Sequence, residues 1–557
     1  MKDYKAIYRA WLESPALDAE SRAELAAIAG EEREIEDRFY CDLSFGTAGM
    51  RGVLGAGANR MNIYTVRKAT LGYARYLKKY VGEEALVRGV VIAHDNRRMS
   101  REFCLETAGV LAAEGIQAYI FDDLRPTPEL SFAVRYCHAV GGVMITASHN
   151  PPEYNGYKLY DEHGCQLMPR YTDVLTGIIN EIDPLSVPAP DLERVGERIQ
   201  TLSSDVDEAY YRAVLDIRLQ SVAAEDLKIV YSPQHGTGNV PVREVLKRAG
   251  YYVIPVEEQC FPDKDFCNTK SPNPENKEAY ELSMAYARRE GADIAITTDP
   301  DCDRLGVIAK KNGEYALLSG NQSGAILLQY ILSCRKESGT LPPNAVMCNT
   351  VVTSTLGDRI CERFGVAVQK TLTGFKFIGD KIREWEENGE KTFLFGYEES
   401  YGCLVADFAR DKDGVQASLL LCEAAAYYKA EGKTLWDVLE ELYRTHGYFL
   451  DGVTALTLTG AEGAAKIGQM LENLRNAPPT EAGGVPVLQV EDYLSPEMQA
   501  KGFARSNVLR FVLADGSWVA VRPSGTEPKC KYYYCVVGHD EQDAARKHAL
   551  LREVFEP

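Results

Sequence analysis

Short runs of apolar, β-branched residues alternate with amphipathic stretches through most of the chain. The runs do not alternate with polar residues, which is typical of strands buried on both faces of an α/β layer. The stretches between them place apolar residues three and four positions apart, which predicts helices. This order of elements predicts a layered α/β protein.

The same order of elements occurs three times: a strand, a helix, a second strand and, further along the chain, a third strand. It runs from GVVIAHD to GGVMITASHN, from LKIVYSPQHGTGN to ADIAITTDPDCDR, and from NAVMCNTVVTS to KTFLFGYEESYG. Gly115, Gly250 and Gly365 follow the three predicted helices, where glycine commonly ends a helix. The sequence therefore predicts three topologically similar α/β domains.

The pattern changes near residue 447, where GVTALTL and VLRFVLADGSWVAVRPSGTEPKCKYYYCVVG predict an antiparallel sheet, followed by a charged helix. We expect a smaller C-terminal α+β domain here, and four domains in all, at residues 1–205, 206–320, 321–446 and 447–557. Ligands of open α/β sheets bind at the carboxyl ends of the strands. We therefore expect the four domains to surround one central cleft.

Charge and composition exclude several classes of partner. The 557 residues include 62 basic and 81 acidic side chains, for a net charge of −19. This acidity argues against binding to nucleic acid or to membranes. The N-terminus lacks the apolar core of a signal peptide, and the fourteen cysteines form no C-x-x-C pair. We expect a cytoplasmic protein with reduced thiols.

Three aspartates follow a predicted strand in TTDPDCDRLG. Asp299, Asp301 and Asp303 stand at alternate positions, so an extended segment would point all three carboxylates to one side. Hard oxygen ligands of this kind suit Mg²⁺. A solvated acidic turn is the alternative interpretation. Arg304 follows directly and could bind a phosphate or carboxylate beside the metal.

The segment TASHNPPEYNGYKLY brings a serine next to a histidine. Ser148 lacks the G-x-S-x-G turn of a hydrolase nucleophile. Neighbouring side chains on an extended segment point to opposite faces, so a Ser148–His149 pair requires an unusual turn. Lys158 lies ten residues after the serine.

Two glycine-containing loops could bind anions. VRPSGTEPKCK combines arginine, hydroxyl groups and a glycine, which suit a phosphate-binding turn, although Pro, Ser and Gly also favour ordinary turns. FGTAGMRG is a second candidate of lower specificity. The residues concerned are Arg522, Ser524, Gly525, Thr526 and Lys531 in the first loop, and Thr47 and Arg51 in the second.

A third loop, FGYEESYG, could bind sugar. Its carboxylates, Glu398 and Glu399, are good acceptors for sugar hydroxyls, Ser400 adds a hydroxyl, and its aromatic residues suit apolar sugar faces. A charged pair at the start of a helix is an equally good interpretation. Lys376, in LTGFKFIGD, could contact the same ligand or be an ordinary surface lysine.

Four motifs, one in each predicted domain and in the same order, resemble those of the α-D-phosphohexomutase superfamily: TASHNP, DPDCDR, GYEESYG and RPSGTEPK. The resemblance covers nearly the whole chain. The long form with FGTAGMRG resembles the phosphoglucomutase-2-like branch. E-E-S is similar to the sugar loop of phosphoglucomutases, whereas bifunctional phosphomannomutase/phosphoglucomutases typically carry G-E-M-S there.

This resemblance implies an isomerase of glucose metabolism that interconverts glucose 1-phosphate and glucose 6-phosphate. It implies that Ser148 carries a phosphoryl group, and that Asp299, Asp301, Asp303 and an oxygen of the Ser148 phosphate hold one Mg²⁺ per chain. Glucose 1,6-bisphosphate would be the intermediate and activator. A phosphopentomutase, a phosphomannomutase, a glucose 1,6-bisphosphate synthase, a metal-dependent phosphatase and a sugar-phosphate sensor are the alternatives.

The resemblance also implies roles for the remaining residues. Lys158 would be the general base, with His149 as the second candidate and Arg51 beside them. The substrate would contact Thr47, Arg304, Lys376, Glu398, Ser400, Arg522, Ser524, Gly525, Thr526 and Lys531. Sugar phosphates are the expected partners, without nucleic acid or membrane, and we expect a monomer or weak homodimer.

Overall fold

The computed structural model describes residues 3–46, 49–458, 460–523 and 529–556. Thr47, Ser524, Gly525 and Thr526 lie outside the described residues. The chain forms two compact units. The first contains Met1–Ile308, Gly379–Asn388 and Gly402–Ala426, and the second contains Ala309–Ile378, Gly389–Tyr401 and Tyr427–Pro557.

The helices of the described residues are α1 (Tyr4–Glu13), α2 (Ala19–Ala27), α3 (Glu32–Phe39), α4 (Ile63–Tyr80), α5 (Glu84–Arg88), α6 (Ser100–Ala113), α7 (Thr127–Tyr136), α8 (Pro169–Asn180), α9 (Leu192–Val195), α10 (Asp205–Leu215), α11 (Asn239–Arg248), α12 (Glu281–Glu290), α13 (Gly320–Glu337), α14 (Leu356–Phe364), α15 (Lys376–Asn388), α16 (Gly414–Ala430), α17 (Leu435–His446), α18 (Gly460–Asn476), α19 (Pro496–Ala500) and α20 (Glu541–Phe555). None of these helices, over the residues described, is long and apolar enough to span a membrane.

The strands of the same residues are β1 (Phe45–Gly46), β2 (Gly49–Val53), β3 (Val90–His94), β4 (Ala118–Ile120), β5 (Gly141–Ile145), β6 (Tyr154–Asp161), β7 (Ile199–Thr201), β8 (Ile229–Ser232), β9 (Val253–Pro255), β10 (Ile294–Thr298), β11 (Leu305–Lys311), β12 (Glu314–Leu318), β13 (Ala345–Thr350), β14 (Ala367–Thr371), β15 (Thr392–Tyr397), β16 (Cys403–Leu404), β17 (Tyr448–Thr457), β18 (Glu481–Ala482), β19 (Val485–Asp492), β20 (Leu509–Leu513), β21 (Trp518–Pro523) and β22 (Lys529–Gly538).

The three repeated units predicted from the sequence are present. They are β3-α6-β4-β5, β8-α11-β9-β10 and β13-α14-β14-β15. Within each unit the strands are parallel neighbours, and β3, β5, β10 and β13 are buried along their whole length. Gly115, Gly250 and Gly365 have φ of 83°, 93° and 71°, the left-handed conformation expected of a glycine that ends a helix.

The first of the two compact units contains a seven-stranded mixed sheet in the order β1-β2-β6-β5-β3-β4-β7. Strands β2 and β6 are antiparallel to each other, and β6 is antiparallel to β5. This arrangement places Arg51 opposite Gly156 and Lys158 opposite Met144. Lys158 thus comes from the strand next to β5, after which the serine loop begins, and Arg51 comes from the next strand beyond it.

Helices α1 to α3 form a small apolar cluster with Ala56, Ala58 and Tyr64 in the first compact unit. Trp11 packs edge-on against Phe39 and Tyr64, with ring centroids 5.7 Å apart in both pairs. The side chain of Asn62 and that of Thr65 cap the start of α4 reciprocally, which stabilises a helix by about 1 kcal/mol. These contacts tie the N-terminal helices to the segment that follows β2.

The second compact unit contains two sheets. Strands β14, β13 and β15 are parallel neighbours, and the C-terminal sheet is antiparallel in the order β17-β22-β21-β20-β19-β18. Its apolar face packs with α18 and α20. The predicted smaller α+β domain is therefore correct. All fourteen cysteines of the chain are free thiols.

Candidate active site

Ser148 has the unusual turn that a serine–histidine contact requires. Its φ is 52°, in the left-handed region, and its backbone N–H donates to Oγ1 of Thr146 at 2.7 Å. This turn brings the Ser148 Oγ to 3.1 Å from Nδ1 of His149. Ser148 is buried, with 1% of its surface exposed.

The serine hydroxyl also reaches the metal loop. Ser148 Oγ donates a hydrogen bond of 2.8 Å to Oδ2 of Asp299. A serine has one hydroxyl proton, so the role of His149 Nδ1 as donor or acceptor toward Oγ depends on the tautomer of the ring. Burial, followed by the charges of Arg304 and Arg51, holds the pKa of His149 well below its usual value. His149 is therefore neutral.

Asp299, Asp301 and Asp303 converge, but not for the reason that the sequence pattern indicated. The segment is a turn, in which Cys302 has a φ of 54°. One oxygen of each carboxylate lies within 4.8 Å of the others, and all three side chains are buried. The extended conformation expected for this segment is therefore wrong, and so is the solvated acidic turn.

The three carboxylates fit a hard divalent cation. Oδ1 of Asp301 and Oδ1 of Asp303 are buried without a hydrogen-bond partner. Burial, together with the charges of Asp303 and Asp301, raises the pKa of Asp299 well above its usual value. A buried group of three acidic oxygens with unsatisfied lone pairs is a ligand set that Mg²⁺ prefers.

Two lysines contact this acidic group. Lys158 Nζ donates to Oδ2 of Asp301 at 2.8 Å and lies 3.6 Å from Oδ2 of Asp303. Lys412 Nζ lies 3.1 Å from the same oxygen of Asp303. Although burial alone would raise the pKa of Asp303, Lys412 and Lys158 hold it well below its usual value. The sequence analysis did not identify Lys412.

The backbone of the metal loop is bound by three distant segments. The carbonyl of Pro300 accepts from the N–H of Thr237 at 2.8 Å, that of Asp301 from Thr127 at 3.0 Å, and that of Cys302 from Gly414 at 3.0 Å. Thr127 Oγ1 also donates to Oδ2 of Asp301 at 2.8 Å. The position of the carboxylates is therefore set by backbone contacts as well as by side chains.

Two arginines flank the site. Arg51 Nη1 donates to Oδ1 of Asn150 at 3.3 Å, while its Nε is buried without a hydrogen-bond partner. Arg304 Nη1 donates to Oε1 of Glu275 at 2.5 Å, and its Nε lies 3.8 Å from Oδ1 of Asp303. Glu275, which the sequence analysis missed, thus orients the guanidinium of Arg304.

The candidate sugar loop lies in the second unit, in a turn directly after β15. The carboxylate of Glu398 accepts from the N–H of Gly374 at 2.8 Å, and Ser400 is half-buried. A Cβ on Gly320 would lie 2.3 Å from the carbonyl of Glu399 and 2.6 Å from the N–H of Tyr401. The loop therefore rests on the first turn of α13, and the interpretation as a helix start is wrong.

Two expectations about neighbouring side chains need correction. Lys376 begins α15 and has only 4% of its surface exposed, so it is not an ordinary surface lysine. Tyr397 is buried: a Cβ on Gly324 would lie 2.4 Å from its ring, and a Cβ on Gly357 would lie 2.3 Å from its hydroxyl oxygen. This aromatic residue belongs to the core and is not available to a sugar face.

Arg522 and Lys531 lie opposite each other on the antiparallel strands β21 and β22. Residues paired in this way share one face of the sheet, so the two basic side chains of the VRPSGTEPKCK segment form a pair there. Both are half-buried. This pair is part of the second unit, together with Lys376, Glu398 and Ser400, whereas Arg51, Ser148, His149, Lys158, Asp299, Asp301, Asp303 and Arg304 are part of the first.

Four family models match the chain in order. They are the phosphoglucomutase/phosphomannomutase alpha/beta/alpha domains I, II and III, at residues 42–186, 208–313 and 319–446, and the C-terminal domain, at residues 474–553. Together they account for most of the sequence.

Similar proteins agree with these models. A phosphoglucomutase of Staphylococcus epidermidis is 39% identical over 512 residues, which cover 90% of this chain and 92% of the relative. Parafusin, a phosphoglucomutase of Paramecium, shares the fold with a TM-score of 0.71 at 17% identity, over 93% of this chain and 95% of that one. Aspergillus fumigatus N-acetylphosphoglucosamine mutase, solved with GlcNAc-6P and magnesium, has a TM-score of 0.53 at 13% identity, covering 97% and 99%.

Proposed function

The chain belongs to the phosphoglucomutase/phosphomannomutase family, and from this membership we propose that it interconverts glucose 1-phosphate and glucose 6-phosphate through a phosphoserine at Ser148. It is an isomerase that acts by phosphoryl transfer. The Staphylococcus relative named phosphoglucomutase supports glucose phosphates as the substrates.

One observation carries the role of Ser148: its Oγ lies 2.8 Å from Asp299 of the buried carboxylate group, with the backbone in a left-handed turn. A hydroxyl in this position can hold a phosphoryl group beside a bound cation. Asp299, Asp301 and Asp303 would hold that cation, and Mg²⁺ would neutralise charge on a phosphoryl oxygen when bound. The Aspergillus mutase solved with magnesium supports the choice of metal.

The proposed reaction consists of two transfers. The 6-hydroxyl of glucose 1-phosphate forms a bond to the phosphorus of phosphoserine as the bond from that phosphorus to Ser148 Oγ breaks, and the hydroxyl proton passes to a base. Glucose 1,6-bisphosphate results. The 1-phosphoryl group then moves to Ser148 Oγ, a proton returns to the sugar oxygen, and glucose 6-phosphate leaves. Positioning supplies most of the rate enhancement in reactions of this type.

Lys158 is the better candidate for the base. Its Nζ contacts Asp301 of the buried carboxylate group, whereas Nδ1 of His149 lies 3.1 Å from Ser148 Oγ itself. Arg51, with a buried Nε that has no hydrogen-bond partner, can bind a phosphoryl oxygen. His149 then orients the serine.

Residues of the second unit would bind sugar hydroxyls and phosphate. Glu398 and Ser400 would accept and donate hydrogen bonds to the sugar hydroxyls, and Lys376 would contact the sugar or the bisphosphate. Arg522 and Lys531 would bind the phosphate that is not reacting, together with Thr47, Ser524, Gly525 and Thr526, while Arg304 would bind a phosphate near the metal. We propose a cytoplasmic monomer or weak homodimer, which light scattering would test.

Intact mass and peptide mapping of freshly purified protein, combined with turnover of glucose 1-phosphate, test this function. We expect phosphate on Ser148 and an S148A variant without measurable activity, while S338A, at an exposed serine, keeps the wild-type rate. A fully active S148A variant would overturn the mechanism. Release of inorganic phosphate as fast as substrate disappears would indicate a phosphatase, and faster turnover of mannose 1-phosphate or ribose 1-phosphate would change the substrate.

A further inference from the structure

A buried arginine outside the sequence motifs holds the backbone of the serine loop. Arg97 Nη1 donates to the carbonyls of Pro151 at 2.7 Å and Tyr154 at 3.2 Å. Its Nη2 donates to the carbonyl of Ser148 at 2.5 Å and also to that of Asn150. One guanidinium therefore binds four carbonyl groups of the loop that begins at the serine.

Arg97 is itself fixed from two sides. Its Nε lies 3.2 Å from Oδ2 of Asp95, and neither side chain has any exposed surface. Oδ1 of Asp95 accepts from Ser100 Oγ at 2.7 Å and from the N–H of Arg97 at 2.9 Å. The ring of Phe266 lies 5.0 Å from the guanidinium carbon. A charged, planar group held in this way makes strong and directional hydrogen bonds.

The guanidinium has no donor left for a substrate. An arginine side chain has five N–H groups. The Nε–H of Arg97 faces Asp95, and the four Nη–H groups serve the four carbonyls. The Nε atoms of Arg97 and Arg51 are both buried without a hydrogen bond, but that of Arg97 is paired with the carboxylate of Asp95 at 3.2 Å.

The contact with Ser148 has a specific geometric consequence. A residue with a Cβ adopts a φ of 52° only where its surroundings stabilise that conformation. Arg97 binds the carbonyl of Ser148, and Thr146 accepts from its N–H, so both backbone polar groups of the serine are fixed. In this conformation, Oγ reaches Asp299.

We propose that Arg97 is a positioning residue that keeps Ser148 in its left-handed turn and so aims Oγ for phosphoryl transfer. This role rests on the proposed function of Ser148. It requires the fork of donors that only arginine offers, because a lysine ammonium is a single point that cannot reach carbonyls spread over several residues.

Three variants of the full-length protein test this role. R97M removes the donors at similar volume, R97K keeps a charge beside Asp95, and R98M is the matched control. Arg98 is the next residue, and its exposed side chain donates to Oδ1 of Asp265 at 2.6 Å without contacting the loop carbonyls. For each variant, the melting temperature, kcat and KM for glucose 1-phosphate, and the rate of Ser148 phosphorylation by glucose 1,6-bisphosphate are measured.

We expect R97M to lower kcat and the phosphorylation rate by about 100-fold with little change in KM, because a small displacement of a reacting group costs about this much. R97K should recover only part of the loss, and R98M should match the wild type. A wild-type kcat in R97M would overturn the proposal. A change in KM as large as the change in kcat would also overturn it. If R97M does not fold, a wild-type kcat in R97K overturns it. If the wild-type protein neither converts glucose 1-phosphate nor accepts phosphate on Ser148, the proposed function is refuted instead.

Discussion

Lys158 and Asp301 are bound to each other by a hydrogen bond of 2.8 Å from Nζ to Oδ2. The proposed base and a proposed metal ligand are therefore electrostatically coupled. A positive charge this close to a metal site competes with the metal for the same carboxylate.

Replacing Lys158 with methionine should therefore tighten Mg²⁺ binding by about tenfold, although activity falls. Isothermal titration of the full-length protein with Mg²⁺ measures the affinity. The matched control is K68M, since Lys68 is a buried lysine that pairs with Asp42 at 3.0 Å. Unchanged or weaker Mg²⁺ binding in K158M would contradict the coupling.

Asp299→Asn should raise the melting temperature in EDTA. Burial and the charges of Asp303 and Asp301 raise the pKa of Asp299, so the folded state prefers its protonated form, and this stability is lost as the pH rises through that raised pKa. An asparagine amide does not ionise, so D299N avoids this loss of stability. We expect its melting temperature to be about 3 °C higher than that of the wild type at about pH 8.

Scanning calorimetry with and without Mg²⁺ measures both effects of D299N. The variant should also lose the stabilisation that Mg²⁺ gives the wild type. A half-buried aspartate outside the metal loop, as in D265N, provides the comparison. A lower melting temperature for D299N in EDTA would show that repulsion among the carboxylates is not the dominant effect.

Glu129 should make the stability of the protein depend on pH. Its side chain is fully buried in α7, and neither carboxylate oxygen has a hydrogen-bond partner. Burial, and then Asp207, raise the pKa of Glu129 well above its usual value. The contribution of protonated Glu129 to the stability of the fold is therefore present at low pH and is lost as the pH rises through the raised pKa.

We therefore expect E129Q to lose less melting temperature between about pH 5 and about pH 8 than the wild type does. Thermal melts at the two values measure this difference. E102Q, at an exposed glutamate of α6, should behave as the wild type. Equal losses in E129Q and the wild type would mean that Glu129 is ionised in the folded protein.

Gly236→Ala should disturb the metal loop from behind. A Cβ at this position would lie 2.4 Å from the Cα and 2.5 Å from the carbonyl oxygen of Pro300. The backbone of the loop must move, at a cost of about 1–3 kcal/mol. We expect Mg²⁺ affinity to fall about tenfold in titration calorimetry, since the carboxylates move with the loop.

The control for this variant is G177A. Gly177 lies within α8, and a Cβ there meets no atom within 4 Å. Alanine should stabilise this helix by about 0.5–1 kcal/mol without changing Mg²⁺ binding. Wild-type Mg²⁺ affinity in G236A would show that the loop tolerates the displacement.

The elements of the fold could be read from the sequence because their signals are local. Apolar runs and helical spacing predicted the three repeated units, and Gly115, Gly250 and Gly365 mark helix ends through their own backbone freedom. The division of the chain into two compact units has no such signal, because it depends on contacts between residues far apart in sequence.

The site was predictable in its residue types but not in its geometry. The motifs indicated Ser148 and the three aspartates, whereas the left-handed turn of the serine depends on Arg97, fifty-one residues earlier. Lys412 approaches Asp303 from more than a hundred residues further along the chain. It stands in ARDKDG directly before α16, a pattern that is equally typical of a helix start.

The three carbonyls of the metal loop also bear on how the enzyme is made. Pro300, Asp301 and Cys302 receive their N–H donors from Thr237, Thr127 and Gly414, and the last of these is synthesised more than a hundred residues after the loop. A growing chain cannot complete these contacts until that glycine has left the ribosome. Chains that end before Gly414 therefore lack the donor to the Cys302 carbonyl, and we expect their metal loop to be incompletely fixed even though Ser148 and all three aspartates are present.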